Sequence, residues 1–141
     1  MLDIDNINAV DQAEMTVVYN GQPLDWTWTF AGPGHEKTIA QNNRIAREQL
    51  ARDRHKEQAA TNGKRWKAPE ITPEERRADN VRYVLERLLG WSPVTMAGTD
   101  FPFSEENARK VLSDPKKAWL YQQALEFLQD DNSFTGRSAT S

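Results

Sequence analysis

Apolar and polar positions alternate along Leu24–Phe30, where Leu24, Trp26, Trp28 and Phe30 are separated by Asp25, Thr27 and Thr29. A period of two puts the apolar set on one face of a β-strand. The preceding run, Met15–Tyr19, is rich in β-branched and aromatic residues, and Asn20-Gly21-Gln22-Pro23 between the runs opens on a turn dipeptide. Residues 15–30 therefore read as a β-hairpin. A lone hairpin is marginal in water, so its tryptophan face is expected to pack on helices of the same chain or on another subunit.

The period then changes. Gly32-Pro33-Gly34 supplies a tight turn, and residues of about 38–60, rich in Ala, Gln, Arg and Glu without Gly or Pro, predict a long helix. Its apolar content is thin, with Ile39, Ile45, Ala46 and Leu50 among charges. A helix this polar either bridges solvent or awaits a partner. Asn62-Gly63 stops it. Thr72-Pro73-Glu74-Glu75 forms a capping box with proline at the first helical position. Val81, Val84, Leu85, Leu88 and Leu89 then follow a helical stripe that Gly90 ends. Residues 92–103 read as a loop, Ser104 caps a short helix bearing Ala108, Val111 and Leu112, and Asp114-Pro115 restarts the pattern. The last helix is apolar at Trp119, Leu120, Tyr121, Ala124, Leu125, Phe127 and Leu128, wider than one stripe, so burial on more than one side is expected.

These elements predict an α+β domain, mostly α, over residues 15–134: a hairpin, a basic helix and a small helical bundle over 72–131. Residues 1–14 read as a loose acidic arm and 135–141 as a flexible tail. No strand is predicted after residue 30. Charge is segregated along the chain. Residues 1–34 hold five acids and no Lys or Arg, residues 35–67 hold nine Lys/Arg against four acids, and the whole chain has a net charge of −3. Such a basic middle between acidic ends could self-associate or meet an anionic partner. No secretory signal and no apolar run near the ~20 residues needed to span a bilayer is visible. A soluble cytoplasmic product that does not engage a membrane is expected.

Candidate chemistry is sparse. Lys37-Thr38 after a glycine turn resembles the end of a phosphate loop, but Ala31 and Glu36 occupy its two glycine positions, and a carboxylate there repels phosphate. The histidines, His35 and His55, lack acids at zinc-ligand spacing, and His35 reads as a turn or capping residue. The chain has no cysteine, which removes thiolate sites and cysteine nucleophiles. Glu105 and Glu106 diverge on their helix, and Ser104 has no nearby base. No enzyme activity, cofactor or metal is expected. The basic run Arg44, Arg47, Arg52, Arg54, Lys56, Lys64, Arg65 and Lys67, with Trp66 among them, could grip nucleic acid. Interleaved Glu48, Asp53 and Glu57 favour a solvated or protein-facing helix instead.

The order of motifs in the C-terminal half resembles tail assembly chaperones of long-tailed bacteriophages. The likeness lies in Leu88-Leu89-Gly90-Trp91, then Phe101–Pro115, then a tryptophan-bearing helix that ends near Asp130-Asp131-Asn132-Ser133-Phe134. Asp25–Leu50 is similar to the front half of phage tail-module proteins. The basic insertion between these halves departs from the shorter chaperones. The resemblance implies a non-enzymatic protein of the host cytoplasm that coats the aggregation-prone tape-measure protein while the tail tube polymerises. Some such chaperones form homo-oligomers. A minor tail or connector component retained in the virion is the alternative. Surplus aromatics Trp91, Phe101, Phe103, Trp119 and Phe127, with Arg44, Arg47 and Arg54 on the basic helix, are the candidate partner-binding residues. Taken singly, each aromatic is more simply read as filling the chain's own core.

Overall fold

A computed structural model describes residues 1–6, 10–68 and 70–134; the tail expected at 135–141 lies outside the described residues. Strands β1 (Gln12–Tyr19) and β2 (Gln22–Ala31) form the expected hairpin. Its connection is tighter than the four residues suggested. Tyr19 pairs with Gln22, leaving only Asn20 and Gly21, both at positive φ, which matches the twist of the flanking strands. The first strand also begins earlier than Met15. Ala13, Met15 and Val17 point inward from it, so residues 12–14 belong to the sheet and not to a loose arm. Just ahead, the Val10 N–H donates to the Phe134 carbonyl over 2.9 Å.

Helix α1 (Glu36–Thr61) follows, with His35 as its cap: Nδ1 accepts from the Lys37 N–H at 3.1 Å. At the far end Gly63 takes φ +70° and the Lys64 N–H reaches back to Ala59 O, a glycine-terminated stop. Helix α2 (Pro73–Arg87) starts on Thr72, whose hydroxyl accepts from the Glu75 N–H. It then ends at Arg87 instead of running on to Gly90. Leu88–Trp91 is strand β3, antiparallel to β2, with Trp28 opposite Trp91 and Thr29 opposite Gly90. The expectation of no strand after residue 30 is thus corrected. Leu88 and Leu89 satisfy the helical period, but the unpaired edge of β2 captures them.

A two-stranded ribbon, β4 (Thr95–Met96) with β5 (Thr99–Asp100), turns through Ala97 and Gly98. Helices α3 (Glu105–Leu112) and α4 (Ala118–Gln129) follow, capped as expected by Ser104 and, through a short 3₁₀ turn, by Asp114. The Asp114 carboxylate accepts from the Lys116 N–H and then from the Lys117 ammonium, and these hold it below the usual carboxylate range.

The architecture is a three-stranded sheet in the order β1-β2-β3 with helices α2, α3 and α4 against its apolar face. Trp28, Phe30, Val17, Val84, Leu88, Val111, Leu112 and Leu120 are almost wholly buried there. The outer edge of β1 is covered at Val18, where the Gln123 side chain from α4 both accepts from its N–H and donates to its carbonyl, each over 2.8 Å. Such cover removes a pairing template for a foreign strand.

Candidate functional site

The candidate aromatics fall into two groups on the inner face of the sheet, joined through the Trp28–Phe30 contact, with Trp119 apart from both. Trp91 is the hub of the first. It stacks on Trp28 and on Phe101, meets Trp26 and Phe103 edge-on, and donates its indole N–H to the Phe101 carbonyl at 3.1 Å. Phe101 is 8% exposed, so its ring serves the core and a partner cannot reach it without opening the chain. In the second cluster Phe127 lies between Phe30 and Phe134. Trp119 packs instead on Tyr19 at the hairpin end, with ring centroids 4.8 Å apart. Trp91, Phe103, Trp119 and Phe127 are all half-buried, and of these Phe103 lines an open groove.

That groove, of about 740 Å³, runs between the N-terminal turns of α1, one face of α2, and α3. Ala40, Ala78, Leu85, Leu88 and Phe103 form its apolar lining. Small side chains at Ala40 and Ala78 leave the room. Lys37, Arg82 and Arg109 line it together with Asp79, Glu86 and Glu105. A groove lined by apolar residues and by charges of both signs suits a helical or extended peptide segment better than one small anion.

Arg44 sits beside this groove and is engaged. Its guanidinium forks onto Glu86 of α2 and donates to Glu48 one turn along α1 at 3.0 Å. The hydrogen bonds to Glu86 raise it above its ordinary value, and partial burial opposes them. Arg82 approaches the same Glu86 at 3.8 Å. Arg47 and Arg54 are exposed, and Lys56 stacks over Trp66 at 5.7 Å. Arg44 is thus already paired with carboxylates, whereas Arg47 and Arg54 stand exposed on one side of α1.

Helix α1 is attached to the body by polar groups. Thr38 and Gln41 are its buried residues among those described, and Gln41 donates to the Tyr83 carbonyl at 2.9 Å. Ile39, Ile45 and Leu50 are 40–51% exposed. Sequence reasoning missed the residues that make this arrangement, above all Glu86 and Arg82, because an acid and a base on the polar side of α2 look like any solvated pair. It also missed Arg87, 6% exposed, which donates twice to the Ala31 carbonyl and lies over the Phe134 ring. Among the described residues no group of three His, Asp or Glu could hold a metal ion, and no helix is long and apolar enough to cross a membrane. No family profile matches the chain, and neither a curated protein nor a solved structure does.

Proposed function

We propose that this chain is a tail assembly chaperone of a long-tailed bacteriophage, acting without catalysis or cofactor. It holds helical segments of the tape-measure protein soluble in the host cytoplasm until the tail tube encloses them. One observation carries the reading: a long helix keeps its apolar residues turned to solvent while an apolar groove lies open beside its first turns. A domain that buries Trp28 and Phe30 yet leaves Ile39, Ile45 and Leu50 uncovered has surface to offer a partner. The order of the Leu88–Trp91, Phe101–Pro115 and terminal-helix motifs, which resembles that of such chaperones, narrows the partner class.

The test is co-expression with the longest helical tail protein encoded beside this chain. The expected result is that the tail protein stays soluble and co-purifies, and that Phe103→Ala weakens the association. A tail protein that aggregates with or without this chain overturns the proposal. Presence of the chain at fixed stoichiometry in finished particles assigns it instead to the virion structure.

A further inference from the structure

Ile39, Asn43, Ala46 and Leu50 recur along α1 in steps of four, three and four residues. That is the spacing of a coiled-coil seam, in which a 3.5-residue repeat keeps one stripe facing a partner helix. Gln41 and Arg44 hold the opposite side of α1 against α2, which leaves the seam outward. Ile39 is 50% and Leu50 51% exposed, and Asn43 and Ala46 are exposed as well. The stripe is about 17 Å long at 1.5 Å per residue, enough for three turns of one helix.

The flanks say what can lie on it. Alongside the stripe, Ala40 and Arg47 line one side and Asn42 and Gln49 the other, and Arg54 and Lys56 continue these flanks beyond Leu50. Neither flank carries an acid. Of the four acids in α1, Glu48 faces α2 and pairs with Arg44, whereas Glu36, Asp53 and Glu57 fall on the seam line beyond its apolar part. A second copy of α1 would bring only basic and neutral flanks against these. Flanking charges set partner choice in such pairs, and like charges oppose association.

We propose that the outer stripe of α1, Ile39 to Leu50, docks one amphipathic helix of another protein whose apolar seam is flanked by Asp or Glu. The inference rests on reading the chain as a binder of helical tail-protein segments, and it names the face and the charge of the segment bound. Asn43 within the seam selects register, since a buried amide is satisfied best by a polar residue opposite it.

Two three-heptad peptides with Leu and Ile at the seam test this against the full-length protein, one carrying Glu on both flanks and the other Lys. Fluorescence anisotropy should show the Glu peptide binding at least about tenfold more tightly than the Lys peptide. Ile39→Gln/Leu50→Gln should abolish binding of the Glu peptide without changing the circular dichroism spectrum, because both side chains are exposed. Arg47→Glu/Arg54→Glu should invert the preference. Equal affinity for the two peptides, or Glu-peptide binding that survives Ile39→Gln/Leu50→Gln, overturns the proposal. A dimer in sedimentation that the same double variant dissolves assigns the stripe to a second copy and also overturns it. Co-expression separates this from the broader reading: if Ile39→Gln/Leu50→Gln still keeps the tail protein soluble, the chaperone role stands and the stripe is not its site.

Discussion

Replacing Trp91 is the sharpest test of how the aromatic cluster is built. The ring touches Trp26, Trp28, Phe101 and Phe103, and its N–H satisfies the Phe101 carbonyl. Trp→Ala at such a site costs about 3–5 kcal/mol in lost burial and cavity, and a half-buried ring belongs near the lower end. The Phe101 carbonyl left unpaired beside a buried ring adds about 1–3 kcal/mol if water cannot reach it. The sum is about 4–6 kcal/mol, a large part of the 5–15 kcal/mol typical of a domain. Trp91→Phe retains most ring contacts and loses mainly the hydrogen bond, so it should cost about 1–3 kcal/mol. Urea unfolding followed by fluorescence and far-UV circular dichroism measures both, with coincident transitions as the check on two-state behaviour. A Trp91→Ala variant within about 1 kcal/mol of the parent would refute the argument. The same numbers make Trp91→Ala a poor probe of partner binding, because it removes the scaffold along with the surface. Phe103→Ala, at the open groove, is the better instrument.

Four further outcomes are expected. Ala97 holds φ +52° at an exposed turn, where a Cβ is strained, so Ala97→Gly should raise stability by about 0.5–1 kcal/mol in thermal unfolding. Gly32 donates to Asp11 O at 2.6 Å, and an added Cβ would collide with the Val10 carbonyl, so Gly32→Ala should destabilise by about 1–3 kcal/mol and loosen the Val10–Phe134 contact, read by amide exchange at Val10. Asp114 has its folded-state value lowered by the Lys116 N–H and the Lys117 ammonium, so its contribution is present above the usual carboxylate range and lost as pH falls through its lowered value. Asp114→Ala should therefore be less stable than the parent at neutral pH, with the gap closing in acid. Arg87→Met strips both donors from the buried Ala31 carbonyl, and about 1–3 kcal/mol should be lost in urea unfolding; an unchanged midpoint would mean that the arginine contributes nothing there.

Elements defined by neighbours in sequence were legible, and those defined by distant pairing were not. The alternation through Trp26, Trp28 and Phe30 names a strand and its inner face by itself. Thr72-Pro73 and Ser104 mark helix starts by side-chain chemistry that acts within three residues. Leu88-Leu89-Gly90-Trp91 failed because its local period is helical and only the pairing with Trp28–Phe30 makes it a strand. The groove was illegible for the same reason: Lys37, Leu85, Phe103 and Arg109 come from three helices and a loop. No spacing rule joins them. Of the candidate residues, Phe103, Arg47 and Arg54 remain open to a partner, whereas Phe101 and Arg44 are engaged within the chain.

The attachment of α1 bears most on function. Exposed ion pairs contribute about 0–1 kcal/mol each, and α1 adds no large buried apolar side chain to the core. A groove of about 300 Å³ even separates Ile45 and Arg52 from Leu125 of α4. Beyond Arg44 the helix therefore rests on intrinsic propensity, which is marginal for isolated segments of about this length. Hydrogen exchange should find the amides of 46–58 little protected in the free protein, in contrast to those of β2 and α4. A docked helix on the outer stripe would bury Ile39 and Leu50 and slow exchange in that segment specifically. Strong protection of 46–58 without any partner would show that α1 is held by its own domain, and the case for a surface awaiting a helix would fall with it.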